Sequence, residues 1–328
     1  MKRNIKIYTV SFLLIALLLT SCANFLEPIM NSGQLKIEAI ITTVGYARDV
    51  YVGQDHIYIA EDQAGFSIYN KNNELVTQYY GNIENARLIH AVDDKNRLFV
   101  YDRYGSPASI MVYDISNPSI PLEMPPITGQ TSSVEDLKCQ MKADSTIDIL
   151  WTHGNKYQYG NYNDFWLGSF SYDFPNAVAG FSIDDTLLFV TGEQRGLYVV
   201  NRNNGDILSE VNTTGEALAV TILDNYAYVA DKTYGIAVID ISDILNPQVV
   251  ATHQTSGYAQ KIAVQGDNLV VASGGGGVYL FDISDPTKPE LIDRWDDSDI
   301  GYTYDVEMYN GEVFVATREG VYRMSIIK

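Results

Sequence analysis

From about residue 34 the chain alternates short apolar segments with turns rich in Gly, Asn and Asp. The clearest copy places apolar runs at 217–220, 226–230 and 236–241. The following copy repeats the same order roughly 40 residues later. Each run has the length and the β-branched and aromatic content of a strand, and no segment has a helical period. The pattern therefore predicts an all-β chain built from repeated units.

One glycine position sets the register of the repeats. A hairpin turn that needs a positive φ favours glycine, which has no Cβ to clash with the backbone. The glycines that open equivalent apolar runs are Gly65, Gly196, Gly235, Gly277 and Gly320. Seven copies can be counted, and they start near Ala47, Ala86, Glu135, Ala177, Ala217, Ala259 and Thr303.

Each copy has room for four short strands, and such a sheet buries both faces only by stacking on its neighbours, so the repeats should close into a ring. The last copy, from Tyr302 to Ile327, supplies three strands. The segment 36–42 resembles 247–253, the outer strand of the fifth copy, and can supply the fourth. The prediction is a β-propeller over residues 34–328, with seven four-stranded blades and an N-terminal strand completing the last.

Two copies depart from the repeat. The third, residues 132–174, lacks both the glycine and the Asp-Ile-Ser turn found elsewhere. The fourth has 200–205, Val-Asn-Arg-Asn-Asn-Gly, in place of that turn. Six or eight blades therefore remain alternatives to seven.

The Asp-Ile-Ser tripeptide recurs at 114–116, 240–242 and 282–284, with Asn-Pro or Asp-Pro close behind. These polar side chains can satisfy backbone donors in a turn, and proline ends strand pairing. Segments 236–243 and 278–286 resemble the LVIVD repeat family, which is found in bacterial cell-surface propeller proteins. The resemblance extends over about residues 35–328 and implies a propeller displayed at the cell surface.

The N-terminus reads as an export signal. A basic segment, 1–6, precedes an apolar run, 10–19, that is too short to span a bilayer as a mature helix. The residues Leu-Thr-Ser-Cys at 19–22 resemble the lipobox of bacterial lipoproteins. The expected organisation is a signal peptide over 1–21, a lipidated Cys22, and a tether over 22–33. The alternative is ordinary secretory cleavage close to a cysteine.

Lipidation of Cys22 implies a protein anchored to the cell membrane or the outer membrane, facing the periplasm or the cell surface. Its acyl chains would hold it stably, because each buried methylene contributes about 0.8 kcal/mol. Cys139 would then be the one remaining cysteine, so we expect no internal disulfide and a fold stabilised by its core.

The chain is strongly acidic, with a formal net charge of −19 at pH 7. Cleavage before Cys22 would remove Lys2, Arg3 and Lys6 and no acid, leaving −22. Nucleic acid is therefore not expected as a partner, because phosphate binding needs a basic face.

Four charged residues stand at the starts of predicted inner strands, where a propeller binds ligands at its channel. They are Asp49, Asp136, Lys261 and Asp305. The three aspartates could form a ring around a hard cation such as calcium. The alternative is that they are solvated or turn-capping residues at the channel mouth. We predict no metal or other cofactor and no catalytic residue.

The third copy is unusually aromatic, and its candidate binding residues are set among Gly, Asn and Asp. Amphipathic rings in a polar loop suit stacking on a glycan or contact with a protein. The alternative is that the rings pack this irregular blade against its neighbours. The candidates are Trp151, Tyr157, Tyr159, Tyr162 and Trp166.

Three functional hypotheses follow. The first is a lipid-anchored surface propeller that binds a protein or glycan partner. The second is a propeller-type hydrolase or cation-dependent enzyme acting at the channel, and the third is a scaffold subunit of an envelope assembly. Fold alone does not decide among them.

Overall fold

The structure, a computed structural model, describes residues 32–105, 109–128 and 133–327. The predicted signal peptide, Cys22 and most of the predicted tether lie outside the described residues. Within them, 28 strands form seven four-stranded antiparallel sheets, which are the blades of a seven-bladed β-propeller. The predicted fold class and blade count are confirmed.

Blades 1 to 6 each use four consecutive strands, ordered from the channel outward. The strands of blades 1 to 3 are β2 (Asp49–Val52), β3 (His56–Ala60), β4 (Phe66–Asn70), β5 (Leu75–Tyr79), β6 (Ala86–Val92), β7 (Arg97–Asp102), β8 (Ser109–Asp114), β9 (Leu122–Thr128), β10 (Val134–Met141), β11 (Ile147–His153), β12 (Lys156–Tyr162) and β13 (Trp166–Asp173). Those of blades 4 to 6 are β14 (Phe181–Ile183), β15 (Leu187–Thr191), β16 (Leu197–Asn201), β17 (Ile207–Val211), β18 (Ala219–Leu223), β19 (Tyr226–Ala230), β20 (Ile236–Asp240), β21 (Gln248–His253), β22 (Lys261–Gln265), β23 (Asn268–Ala272), β24 (Val278–Asp282) and β25 (Glu290–Trp295).

Blade 7 is built from both ends of the described chain. Its three inner strands are β26 (Thr303–Tyr309), β27 (Glu312–Thr317) and β28 (Gly320–Ile326), and its outer strand is β1 (Leu35–Ile41). β1 pairs antiparallel with β28. The prediction that an N-terminal strand completes the last blade is confirmed.

Two further contacts hold β1 in place. The buried Asp293 carboxylate accepts the backbone N–H of Ser32 at 2.9 Å and that of Leu35 at 2.8 Å. The indole of Trp295 donates to the carbonyl of Leu35 at 2.7 Å. Blade 6 therefore hydrogen-bonds to the N-terminal strand that completes blade 7. The ring closes without a disulfide between described residues.

The core consists of side-chain layers between neighbouring blades. One layer packs Tyr228 and Val238 of blade 5 against Leu269 and Phe281 of blade 6. Both faces of each sheet are buried in this way, which explains why the strands read as nearly continuous apolar runs. Helical structure among the described residues is limited to α1 (Asp297–Ile300) and a 3₁₀ turn at Asp93–Lys95. None of these helices has the length and apolar character needed to cross a bilayer.

The turn predictions are also confirmed. Gly235 has φ +77°, and a Cβ there would lie 2.2 Å from the carbonyl oxygen of His253 on the outer strand. A side chain is therefore excluded both by conformation and by the close backbone. In the Asp-Ile-Ser turn that follows, the Asp240 carboxylate accepts the backbone N–H of Ser242 at 2.8 Å.

Blade 3 is regular despite its divergent sequence. Its aromatic segment is not a polar loop, as the sequence analysis assumed: Trp151 lies on β11, and the other candidate rings lie on the two outer strands, β12 and β13. They pair over their whole length with one irregularity, near Asn161 and Tyr162. Cys139, on the inner strand β10, is a buried free thiol.

Candidate functional site at the channel and its mouth

Three cavities follow one another along the channel that the inner strands surround. We call the end at which these strands begin the mouth. The mouth pocket, about 340 Å³, is lined by Arg48, Arg87 and Arg103 among others. A middle cavity of about 210 Å³ and a cavity of about 270 Å³ toward the opposite end follow.

The four charged residues predicted at the channel all line the middle cavity. Lys261 lies among the three aspartates, and its Nζ is 3.2 Å from Oδ1 of Asp136. Asp49 and Asp305 are hydrogen-bonded to each other. The sequence analysis thus identified residues that converge, although they come from blades 1, 3, 6 and 7.

Each aspartate also accepts a backbone N–H from the inner strand of the next blade. The pairs are Asp49 with Ile89 at 2.7 Å, Asp136 with Phe181 at 3.2 Å, and Asp305 with Val50 at 3.2 Å. A side chain at this position therefore ties adjacent blades together at the channel wall. This gives the three acids a structural role that needs no ligand.

The charged groups that line the middle cavity shift one another's pKa values, and Lys261 lies at their centre. Burial opposes its charge, but the carboxylates of Asp136, Asp305 and Asp49 outweigh burial and raise its pKa. Burial likewise opposes ionisation of Asp136, yet the ammonium groups of Lys261 and Lys138 and the Phe181 amide lower its pKa. Burial and the neighbouring Asp305 raise the pKa of Asp49 well above its usual range.

An ammonium group therefore stands where the sequence allowed a calcium ion. The ammonium group of Lys261 already interacts with all three aspartates, and Asp49 favours its protonated form. Among the described residues, no group of three or more His, Cys, Asp or Glu side chains has an arrangement that could hold a metal.

Two further titratable groups line the same cavity, and both favour their neutral forms. Burial, and to a lesser degree Asp305, raises the pKa of Glu307 to about 8. Its carboxyl accepts the backbone N–H of Val52 at 2.7 Å. Burial lowers the pKa of His90 to about 4. The middle of the channel thus holds few free charges at neutral pH.

The mouth pocket has the opposite character, because three arginines face it. Glu135, Gln260, Tyr302 and Tyr304 also line it. The guanidinium of Arg48 lies 4.1 Å from the ring centroid of Tyr304. The pocket is thus a cationic concavity in a chain of net charge −19.

Asn85, which is buried, connects the three arginines. Its Oδ1 accepts Nε–H of Arg87 at 2.9 Å, and its backbone carbonyl accepts the N–H of Arg103 at 3.0 Å. Its Nδ2 donates to Asp62, whose carboxylate binds Arg48 through Nε and Nη2 at 2.8 and 2.7 Å. The backbone N–H of Asn85 in turn donates to the carboxylate of Asp102 at 2.8 Å. A hydrogen-bond network centred on Asn85 therefore holds the three arginines in place.

Exposed tyrosines surround the mouth on the turns that join the strands. Tyr46 and Tyr80 line a groove of about 500 Å³ beside the mouth pocket. Asp62 lines this groove, and its partner Arg48 lines the mouth pocket, so one ion pair separates the two concavities. Other exposed rings on the turns at this end of the blades are Tyr104, Tyr234 and Tyr258.

The aromatic candidates of blade 3 are divided by burial. Trp151, Tyr157 and Tyr162 are each about 1% exposed and pack between blades, so the predicted exposed surface does not include them. Tyr162 packs edge to face on Phe99 and Tyr157 on Phe181, which matches the packing alternative.

Tyr159 and Trp166 are half-buried. Tyr159 stacks on the exposed Phe170 and lines a groove of about 300 Å³ between blades 3 and 4. A binding role for these two remains a prediction.

The mouth residues Arg103, Asn85 and Asp62 were missed by the sequence analysis, which singled out charged residues only at the starts of inner strands. Asp62 and Arg103 occupy the turn after the second strand in neighbouring blades. Alignment of the repeats at that turn would have shown charged side chains facing the same end of the ring as Arg48 and Arg87.

Comparison with known proteins supports the fold and the repeat. No curated protein sequence matches the chain. Many solved structures do, including the crystal structure of the computationally designed Ika8 protein, which has 12% sequence identity and a TM-score of 0.64. That match covers 89% of this chain and 99% of the designed one and concerns the fold alone.

The family model of the LVIVD repeat matches residues 44–68, 106–127, 214–255 and 256–297. These segments lie in blades 1, 2, 5 and 6. The chain is thus a seven-bladed propeller that carries LVIVD repeats and fits the LVIVD repeat family.

Proposed function

We propose that the protein is a binding module of the bacterial cell envelope, held by lipid on Cys22, that recognises a protein or glycan partner through the mouth of its propeller. A propeller with LVIVD repeats suggests a binding or scaffold module. The choice of surface rests on one observation, the concentration of exposed tyrosines around an arginine-lined pocket at the mouth. Tyrosine and arginine are, with tryptophan, the side chains enriched at binding hot spots.

The arrangement of the channel favours binding over catalysis. A general acid or base must reach the substrate with a free proton site. Here Asp49, Asp136 and Asp305 accept backbone amides and surround Lys261, so their oxygens already serve the fold. The mouth arginines and tyrosines, in contrast, present side chains to solvent.

The anchor rests on the sequence of residues 19–22, and its test is direct. Cells that express the full chain are grown with a palmitate label. We expect the native protein to incorporate label and to fractionate with membranes, whereas Cys22→Ala should remain an unlabelled precursor. Processing of the variant at the normal rate would exclude the lipobox interpretation.

The binding surface can be tested by retention of the purified protein on envelope fractions. Tyr46→Ser combined with Tyr258→Ser removes two exposed rings from the mouth, whereas Leu245→Ser removes an exposed apolar side chain from a turn between third and fourth strands. We expect saturable binding that the double variant weakens at least tenfold and the control leaves unchanged. Equal binding by all three proteins would rule out the mouth as the binding surface.

A further inference from the structure

The mouth pocket contains positive charge that the fold does not neutralise. Arg48 has Asp62 as its partner, at 2.7 Å. Arg87 and Arg103, in contrast, form no ion pair within 4 Å with any carboxylate in residues 32–105, 109–128 and 133–327. Glu135 is the exposed acid on the lining. Two arginines without a carboxylate partner at one concave site are unexpected in a chain with 41 acidic and 22 basic residues.

The three arginines line one pocket and lie close to one another, with Arg48 and Arg87 half-buried and Arg103 exposed. Arg87 is half-buried, and its Nε–H is fixed by Asn85, which leaves the terminal amino groups free to face the pocket. Burial and the charges of Arg48 and Arg103 lower the pKa of Arg87. The cost of keeping like charges together is recovered when an anion binds between them, because charge-assisted hydrogen bonds to guanidinium are among the strongest in proteins.

The surroundings fit a ligand made of sugar rings. Gln260 and the phenols of Tyr302 and Tyr304 give the pocket hydrogen-bonding groups. The adjoining groove offers the rings of Tyr46 and Tyr80, and a sugar has an apolar face that stacks on such rings. With 340 and 500 Å³ side by side, the two concavities have room for more than one ring.

An extended peptide fits less well. Such a ligand gains affinity by adding a strand to a free sheet edge. At the mouth, the turns are already bonded to each other: the backbone N–H groups of Asp62 and Ala86 donate to each other's carbonyls at 3.1 and 2.8 Å. Side chains, rather than backbone groups, are therefore what the mouth presents.

We propose that the mouth pocket binds the carboxylate of an acidic sugar between Arg87 and Arg103, while the next sugar of the chain lies in the groove beside Tyr46 and Tyr80. This inference rests on the proposed binding function and specifies its ligand class. Arg48, paired with Asp62, forms the wall between the two sugar positions.

The test uses isothermal titration calorimetry on the full-length protein in detergent. The probes are oligosaccharides of galacturonate, glucuronate and sialic acid, together with the methyl esters of the first two, which keep the rings but lose the charge. Arg87→Gln combined with Arg103→Gln removes both free guanidinium groups. The matched control is Arg195→Gln, an exposed arginine on the corresponding turn of blade 4 that pairs with Glu210.

We expect at least one acidic oligosaccharide to bind, its methyl ester to bind about 10- to 100-fold more weakly, and the double arginine variant to show a similar loss. Arg195→Gln should bind as the native protein does. Thermal unfolding of each variant shows whether a loss of binding reflects a loss of fold.

Three results would overturn the inference. They are no binding of any acidic oligosaccharide, equal affinity for acid and ester, and binding that does not depend on Arg87 and Arg103. Binding of an acidic peptide with the same arginine dependence, in place of the sugars, would overturn the ligand class. Retention of the protein on envelope fractions through Tyr46 and Tyr258 would survive any of these, so failure here is distinct from failure of the proposed binding surface.

Discussion

Lys261 shows how one side chain decides the character of the channel. It lies on blade 6, yet its ammonium group interacts with carboxyl groups from blades 1, 3 and 7. The four side chains form a charge cluster in which Asp136 is the ionised partner and Asp49 favours its neutral form. Asp49 and Asp136 therefore differ in charge although they occupy equivalent positions in their blades.

We expect Asp49→Asn and Asp136→Asn to differ sharply in stability. Asparagine at 49 can still accept the N–H of Ile89 and donate to Asp305, so unfolding free energy at pH 7 should change by less than about 1 kcal/mol. Asn at 136 removes the anion nearest Lys261 and should cost about 2–4 kcal/mol. Urea unfolding of both variants measures the difference. Equal costs would show that Asp49 is ionised as Asp136 is.

Glu307 should make stability depend on pH. Its pKa is about 8 in the folded protein and roughly 4.3 in an unfolded chain. Between these values the folded state holds a proton that the unfolded state has lost, so the unfolding free energy falls as pH rises and levels off above 8.

Glu307→Gln removes this titration. We expect the variant to match the native protein near pH 4.5 and to exceed its unfolding free energy by about 2–5 kcal/mol at pH 8.5. The exposed Glu290→Gln serves as the control. Unfolding curves of both proteins at the two pH values give this difference in unfolding free energy. If the difference does not change with pH, Glu307 is ionised throughout.

At the scale of the blade, the third sheet shows that the repeat tolerates loss of its sequence signature. Blade 3 lacks the turn glycine and the Asp-Ile-Ser turn, but its strands are seven or eight residues long and fully paired. Large rings fill its interface with blade 2, where Trp151 and Tyr162 pack in one cluster with Phe99. Side-chain packing thus defines this blade in place of the turn glycine and the Asp-Ile-Ser turn.

Substitutions in this blade should separate packing rings from exposed rings. Trp151→Ala empties a buried site and should lower the unfolding free energy by about 3–5 kcal/mol. Phe170→Ala, on the outer strand with 66% exposure, should cost less than about 1 kcal/mol. Thermal and urea unfolding test both, and a large effect of Phe170→Ala would indicate that its stacking on Tyr159 supports the blade.

Strands and turns could be predicted from the sequence where a local constraint or an internal repeat determines them. Gly235 marks its turn because a Cβ would meet the backbone, and segment 36–42 revealed the closing strand because it repeats 247–253. Burial of the blade 3 rings was not predictable, because alternation of Tyr and Gly in a strand resembles a polar loop when the neighbouring blade is unknown. Asn85 was missed for a related reason: its partners Asp62 and Asp102 meet it only after the blades stack.

At the scale of the whole molecule, the fold depends on joining its two ends. Asp293→Ala removes the acceptor of the Ser32 and Leu35 amides, and we expect a loss of about 2–3 kcal/mol in unfolding free energy. Hydrogen exchange of β1 should speed up more than that of the other outer strands. The control, Asp285→Ala, removes an exposed turn carboxylate and should cost less than about 1 kcal/mol. Unchanged protection of β1 would show that pairing with β28 alone closes the ring.

The direction of the closing strand has a consequence for orientation. In every blade the outer strand ends where the next inner strand begins, which is the mouth, so β1 starts at Leu35 on the opposite face. The described chain therefore enters the ring on the face opposite Arg87 and Tyr46. If the proposed lipid anchor holds, its tether joins the ring on that face, which leaves the mouth as the face opposite the point of attachment.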